Sequence, residues 1–265
     1  MIDTHAHLDF PEFDQDREEV ISRAFNNGVK AIINVGVDLE RSRKSVEVAE
    51  SHENIFAVVG FHPHEAGEKN RIPGEEEFAE LKNLARSKKV KAIGEIGLDY
   101  FYYKKPEQVE LQKELFLKQI EIAKELKLPV AIHCRDAWKD LYEILNTKYK
   151  IQDTKFVLHC YSGEKKDTEK FLELPNVYFS FSGNITYPKP AERARKLTEA
   201  VKMIPLDKIM LDSDAPFLAP QEFRGKRNEP IFVKYIARKI AKIKGIGEEE
   251  TERVTDENAG KFFSI

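Results

Sequence analysis

The chain has 265 residues, 41% of them hydrophobic and 34% charged, with a formal net charge of −3. That length suits a single α/β barrel, and it is enough to bury a core without a disulfide framework or a structural metal. The balanced charge excludes a global basic field, so any nucleic-acid contact must come from local clusters.

The apolar, β-branched runs come in chain order as Met1–Thr4, Val29–Val35, Ile55–Gly60, Val90–Ile96, Pro129–His133, Lys155–His159, Val177–Ser182 and Lys208–Leu211. Each is short enough for a strand. Between and after them, helical spacing marks Asp14–Asn27, Leu39–His52, Glu75–Ser87, Pro106–Lys127, Ala137–Tyr149, Lys165–Leu174, Ala191–Ile204 and Ile231–Lys244, and a further helix over Glu248–Phe262. Pro106 suits a first helical turn, where a missing N–H is no loss. Eight strand–helix units imply a parallel sheet, since each parallel connection needs a crossover. The predicted fold is a single (β/α)8 TIM barrel over residues 1–265. An open doubly wound sheet is the alternative, but no Gly-rich phosphate turn follows the first strand.

Two cysteines, Cys134 and Cys160, are too few for a disulfide scaffold and suit a reducing compartment. No apolar run is long enough to cross a bilayer, and no basic-then-apolar leader opens the chain. The expectation is a cytoplasmic protein with no membrane association and no obligate protein partner.

Six of the seven histidines fall at predicted strand ends. His5 and His7 follow the first strand, His62 and His64 the third; His133 ends the fifth and His159 the sixth. Glu95 and Asp99 stand at the end of the fourth, and Asp214 follows the eighth. Barrel enzymes build their sites at this end of the strands. His5-x-His7, at period two, points both imidazoles to one side. A titratable group closing a buried strand is costly unless paired or metal-bound. Ala92-Ile93-Gly94-Glu95, Val130-Ala131-Ile132-His133 and Phe156-Val157-Leu158-His159 share that pattern. Mixed nitrogen and oxygen donors suit zinc, manganese, nickel or magnesium better than calcium. Cys134 and Cys160 read as small packed hydrophobes, and His52 as a surface residue on a helix.

Asp3-Thr4-His5-Ala6-His7-Leu8-Asp9, Gly60-Phe61-His62-Pro63-His64, Gly94-Glu95-Ile96-Gly97-Leu98-Asp99-Tyr100, His133-Cys134-Arg135-Asp136-Ala137, His159-Cys160-Tyr161-Ser162-Gly163, Asp212-Ser213-Asp214-Ala215-Pro216 and Arg227-Asn228-Glu229-Pro230 run through nearly the whole chain. Together these segments resemble the TatD family of metal-dependent deoxyribonucleases, within the amidohydrolase-like barrels. The resemblance implies a TIM barrel holding two divalent ions on His5, His7, Glu95, His133, His159 and Asp214, with Glu95 bridging. Glu95 stands where many amidohydrolases carry a carbamylated lysine. The family usually has Glu-Thr-Asp where this chain has Asp212-Ser213-Asp214; the second acid aligns with the ligand, which leaves the role of Asp212 open.

The implied activity is hydrolysis of DNA phosphodiesters, often from the 3′ end. In that chemistry Asp214 acts as general base, and Arg135 is the nearest candidate to stabilise developing charge. His62 could contact phosphate or protonate the leaving oxygen. Arg135 could equally pair with Asp136, and His62 could be a turn histidine fixed by Pro63. Lys104 and Lys105 beside Tyr100-Phe101-Tyr102-Tyr103, and Arg224, Lys226 and Arg227 after the last strand, suit single-stranded nucleic acid. A packed aromatic lid with solvated lysines, and a role for Arg227-Asn228-Glu229-Pro230 in tying the last loop to its helix, are the structural alternatives. Hydrolysis of a small phosphoester, amide or lactone would use the same metals, because fold and ligands do not fix the substrate. A non-catalytic metal-binding or scaffolding protein is the third reading; structural sites, however, are usually closed shells of Cys and His.

Overall fold

The computed structural model describes residues 1–147 and 153–265. In chain order the elements are β1 (Ile2–Ala6), α1 (Arg17–Asn26), β2 (Ala31–Val35), α2 (Leu39–Glu50), β3 (Ile55–Val59), α3 (His64–Gly67), α4 (Glu75–Leu84), β4 (Val90–Asp99), α5 (Pro106–Leu126), β5 (Val130–Arg135), α6 (Trp138–Leu145), β6 (Phe156–Leu158), α7 (Lys165–Leu172), β7 (Val177–Phe181), α8 (Ala191–Met203), β8 (Ile209–Leu211), α9 (Val233–Lys244) and α10 (Glu248–Phe263). Eight parallel strands in the order β1 to β8 form a nearly closed barrel with helices between them, as expected. Strands such as β2, buried at every position, have the continuous apolar character that a sheet covered on both faces requires. The end of the helix expected over Ala137–Tyr149 lies outside the described residues. The four-residue α3 escaped the sequence reading because it is too short to show a period.

Contacts gather the chain into two compact units. The first comprises Met1–Asn34, His159–Glu173 and Tyr178–Ile265; the second comprises Val35–Leu158 and Leu174–Val177.

In the first unit β8 meets β1 through a parallel bridge between Ala6 and Ala215. Beside it the Thr4 hydroxyl donates to the Leu211 carbonyl (2.8 Å) and the Asp214 amide to the His5 carbonyl (2.9 Å). Helix α10 docks on the same seam. Asp256 accepts from the Ile2 amide and from Lys30 Nζ, each at 2.7 Å. Asn258 donates to the carbonyls of Leu206 and Ile209. Phe13, Phe171, Phe179, Phe181, Phe262 and Phe263 are fully buried.

In the second unit β3 to β6 pair in parallel, and α5 clamps the ends of β3 and β4. Gln112 and Gln119, two turns apart on the buried face of α5, are both fully buried. Gln119 Oε1 accepts from the Phe61 amide (2.7 Å) while its Nε2 donates to the Phe61 carbonyl (2.9 Å). Gln112 does the same for the Asp99 amide (2.7 Å) and the Tyr103 carbonyl (2.9 Å). Loops that leave a strand end carry backbone groups with no ladder partner, and a buried one must find a side chain. Gln119→Leu keeps the volume but strands both Phe61 groups. At about 1–3 kcal/mol for each buried group left unsatisfied, it is expected to lower stability by about 2–6 kcal/mol in urea denaturation, whereas Gln108→Leu, on the half-buried face, is expected to cost less.

Candidate metal centre

In the first unit β1 carries His5, and His7 stands one residue past its end; both rings are buried. Their Nε2 atoms lie 3.2 Å apart, as two residues on one side of an extended segment should. The His5 ring stacks on His159, with centroids 3.6 Å apart. Asp214, in the left-handed region at φ 56° that Asp tolerates better than most residues, turns Oδ1 to within 3.7 Å of His7 Nε2 and 3.9 Å of His159 Nε2. Donor atoms of His5, His159 and Asp214 all lie within 4.8 Å of one another, close enough to share one ion.

Asp212, whose role the sequence left open, is fully buried behind this group. Its Oδ2 lies 3.4 Å from His159 Nδ1, on the side of the ring away from Asp214. It accepts hydrogen bonds from the Ser180 and Ser182 hydroxyls and from the Cys160 amide. Burial alone would raise its carboxyl. The charge and hydrogen bond of His159, the charge of His5 and the Ser180 hydroxyl outweigh that and hold the pKa at about 2. A carboxylate on the far nitrogen of an imidazole fixes its tautomer and leaves Nε2 to the metal. Asp212 is in none of the ligand groups among the described residues and stands where it can orient His159. Ser180 on β7 and Ser182 just past its end, spaced two apart, were legible as one face of an extended run but not as partners of Asp212.

The neighbouring Asp3 is also fully buried and accepts from the Ser213 amide (2.8 Å) and hydroxyl (2.6 Å). Burial pushes its pKa up to about 8, against those hydrogen bonds. Asn228 donates to the carbonyls of Ser213 and Phe217, each at 2.6 Å, and so pins the turn that carries Asp214. Arg227 forms a two-pronged pair with Asp16 (2.7 and 2.6 Å) and Glu229 one with Arg23 (2.8 and 3.1 Å). The Arg227-Asn228-Glu229-Pro230 segment therefore anchors its loop, and the anchor is the start of α1 rather than the helix that follows.

In the second unit Glu95 and His133 come together. Glu95 lies within β4, not at its end, because that strand continues to Asp99. Gly97 allows this: at φ 145° it sits opposite His133 on β5, and a Cβ there would lie 2.0 Å from the His133 carbonyl. His133 Nδ1 lies 2.8 Å from Glu95 Oε1 and Nε2 lies 3.1 Å from Asp99 Oδ2. Burial disfavours the charged ring, but hydrogen bonds and charges of Asp99 and Glu95 raise its pKa to about 9. Burial likewise opposes ionisation of Asp99, yet His133, the Tyr102 amide and the charge of Arg135 bring it below the usual carboxylate range. His62 Nε2 approaches Glu95 Oε1 to 3.8 Å, and its ring meets His133 edge-on at 4.4 Å. Donor atoms of His62, Glu95 and His133 form a second group within 4.8 Å, and those of Asp38, His64 and Glu65 a third. Glu65 in that third group is paired with Lys69.

The Arg135 guanidinium lies 3.8 Å above the Phe101 ring and 4.9 Å from the Tyr102 centroid, and no ion pair with Asp136 is formed. Phe101 and Tyr102 are 49% and 63% exposed, whereas Tyr100 is tied to Asp140 (2.9 Å) and Tyr103 packs on Gly67. Lys104 and Lys105 are exposed. Cys134 and Cys160 are free thiols, the former buried, and neither belongs to a ligand group among the described residues. The His52 ring reaches back to the Val48 carbonyl (3.0 Å) just after α2.

A parallel barrel whose strands carry imidazoles and carboxylates at ligand spacing defines a class, the metal-dependent barrel hydrolases. Within that class the model for TatD related DNase matches residues 2–264, and the chain belongs to the TatD family. It is 41% identical over 265 residues to the uncharacterized metal-dependent hydrolase YabD of Bacillus subtilis, covering 100% of this chain and 99% of that one. It is 32% identical to the 3′-5′ ssDNA/RNA exonuclease TatD of Cronobacter sakazakii, over 99% of this chain and 97% of the other. Among solved structures, YjjV, a TatD homologue of Escherichia coli K12, superposes with a TM-score of 0.89 at 30% identity, over 100% of this chain and 98% of that one.

Two outcomes follow from this geometry. Asp212→Asn is expected to leave the barrel folded but to weaken metal binding about 10- to 100-fold, read by calorimetric titration of metal-free protein; affinity equal to wild type would remove Asp212 from the site. Arg227→Met is expected to cost about 1 kcal/mol at neutral pH. Because Arg227 lowers the Asp16 pKa in the folded state, the pair stabilises above the ordinary value of 3.8 and its contribution fades as pH falls below that. Denaturation midpoints of the two proteins should converge in acid.

Proposed function

We propose that this protein is a divalent-metal-dependent nuclease that hydrolyses phosphodiesters of single-stranded DNA from the 3′ end. The observation that carries the reading is the His5, His159 and Asp214 group, with donors within 4.8 Å of one another and Asp212 set behind His159. Mixed imidazole and carboxylate donors on buried, oriented side chains fit zinc, manganese, nickel or magnesium. The residues that would hold the ions are those of the family resemblance: His5, His7, Glu95, His133, His159 and Asp214. When bound, the ions lower the pKa of water and neutralise charge on the phosphoryl oxygens.

The chain's own groups do the rest. The Asp214 carboxylate accepts a proton at Oδ1. Asp212 keeps the His159 ring from turning, and the two serines keep Asp212 in place. His62, half-buried with Nε2 turned to Glu95, is positioned to donate a proton to the departing sugar oxygen. Arg135, held 3.8 Å over the Phe101 ring, supplies positive charge that Asp99 already feels. The exposed Phe101 and Tyr102 rings offer faces on which bases can stack, with Lys104 and Lys105 in the same loop for flanking phosphates. Relatives named as exonucleases of single-stranded DNA and RNA support this substrate class.

The test uses metal-reconstituted protein on 5′-labelled single-stranded DNA, single-stranded RNA, bis-p-nitrophenyl phosphate, phosphomonoesters and small lactones. A ladder shortening from the 3′ end, abolished by chelation, is expected. Glu95→Ala should abolish turnover and lower metal content while the fold persists. Lys104→Glu/Lys105→Glu should lose activity on the strand more than on the small diester, with the deficit changing with salt. Turnover of a lactone or phosphomonoester without any strand cleavage would replace the nuclease reading with a small-substrate hydrolase.

A further inference from the structure

Within the first unit, the segments after β7 and after β8 enclose a cavity of about 350 Å³. Lys189, Arg193, Arg224 and Lys226 line it, together with Tyr187 and Leu218, and no carboxylate is among its lining residues. Several other arginines are paired with acids: Arg23 with Glu229, Arg43 with Glu80, Arg71 with Glu77, Arg238 with Glu248 and Arg253 with Glu257. None of the four cavity cations forms an ion pair among the described residues. Glu192, next to Arg193 in sequence, is taken by Lys196 at 3.0 Å. Four exposed cations around one pocket with no acid on its wall concentrate positive potential there, in a chain whose net charge is −3.

The hollow is built rather than incidental. The Tyr187 hydroxyl donates to the Ala219 carbonyl (2.8 Å), which locks the two loops together, and the Arg224 guanidinium lies 4.5 Å above the Tyr187 ring. That stacking holds one cation at a fixed height. The cavity also adjoins the metal group. Its Leu218 lies on the turn that leaves Asp214, and Asn184, on its wall, donates to the Cys160 thiol next to His159 (3.3 Å). Tyr187 feels the charge of Asp214, of Cys160 and of both arginines, as groups sharing one small volume must. The volume exceeds what a bare phosphate needs and leaves room for part of a sugar.

We propose that this cavity is a phosphate subsite, which receives a phosphate of the substrate strand next to the one attacked at the metals. It rests on the nuclease reading for the strand, and it names the residues that would make a polymer a better substrate than a small diester: Lys189, Arg193, Arg224 and Lys226. Phosphate is the anion that a nucleic-acid strand offers, and guanidinium and ammonium groups both bind it.

The experiment measures binding before catalysis. Fluorescein-labelled oligothymidylate is titrated with full-length protein in chelator, by anisotropy, at about 50 to 200 mM salt. Wild type is compared with Lys189→Ala/Arg193→Ala and with Arg193→Lys, and thermal melts check that each is folded. Removing two phosphate contacts should weaken binding at least tenfold at low salt and make the log–log salt slope shallower by about 1.4, while Arg193→Lys should keep most of both. Inorganic phosphate, titrated calorimetrically, should bind wild type better than the double variant. On metal-loaded protein the loss on the strand should exceed the loss on bis-p-nitrophenyl phosphate at least tenfold. Wild-type slope and affinity in the double variant would overturn the subsite. Loss of inorganic phosphate binding with an unchanged oligonucleotide slope would overturn the strand assignment and leave a pocket for a free phosphate. A shallower slope in a protein that cleaves no strand would sink the nuclease reading and leave the subsite standing.

Discussion

Removing a carboxylate from water costs several kcal/mol unless hydrogen bonds and opposite charge replace the lost hydration. This chain buries Asp3, Asp212 and Glu95 almost completely, and much of the architecture around the strand ends serves that constraint. Asp212 is surrounded by two hydroxyls, a backbone amide and an imidazole. Asp3 is met by the Ser213 amide and hydroxyl. Glu95 faces His133. Each solution orders a ring or a turn that carries ligand atoms. Rigid placement of imidazoles is thus a by-product of solvating buried acids with protein groups. The same arrangement sets neighbouring acids apart, with Asp3 raised to about 8 and Asp212 lowered to about 2. Of the two, only Asp212 has imidazoles among the groups that shift it.

The barrel was legible because parallel strands covered on both faces read as continuous apolar runs, and helices as amphipathic stretches between them. The clustered imidazoles and carboxylates were legible because a titratable residue closing such a run breaks the pattern. What failed were boundaries and partners. β4 extends past Glu95 to Asp99 because Gly94 and Gly97 interrupt the apolar signal without ending the strand. Asp212 read as an acid of open role, since its partners Ser180 and Ser182 lie 32 and 30 residues away and nothing local links them. Arg227 read as a candidate phosphate contact, because its acceptor Asp16 is 211 residues distant. Lys189 and Arg193 drew no attention beside dozens of other charges. Pairing is a property of space, and only the folded chain brings these cations to one pocket with no acid on its wall.

Assembly in time is constrained by the way the first unit is threaded. Its opening strand needs acceptors and donors that the ribosome delivers last: Asp3 waits for Ser213, 210 residues later, and the Ile2 amide for Asp256, 254 residues later. At about 5–20 residues per second, His5 and His7 spend roughly 10–40 s outside their final surroundings while the intervening segments emerge. During that interval two adjacent imidazoles on a nascent strand are accessible to any passing transition metal, before Asp214 or His159 exists to complete the group.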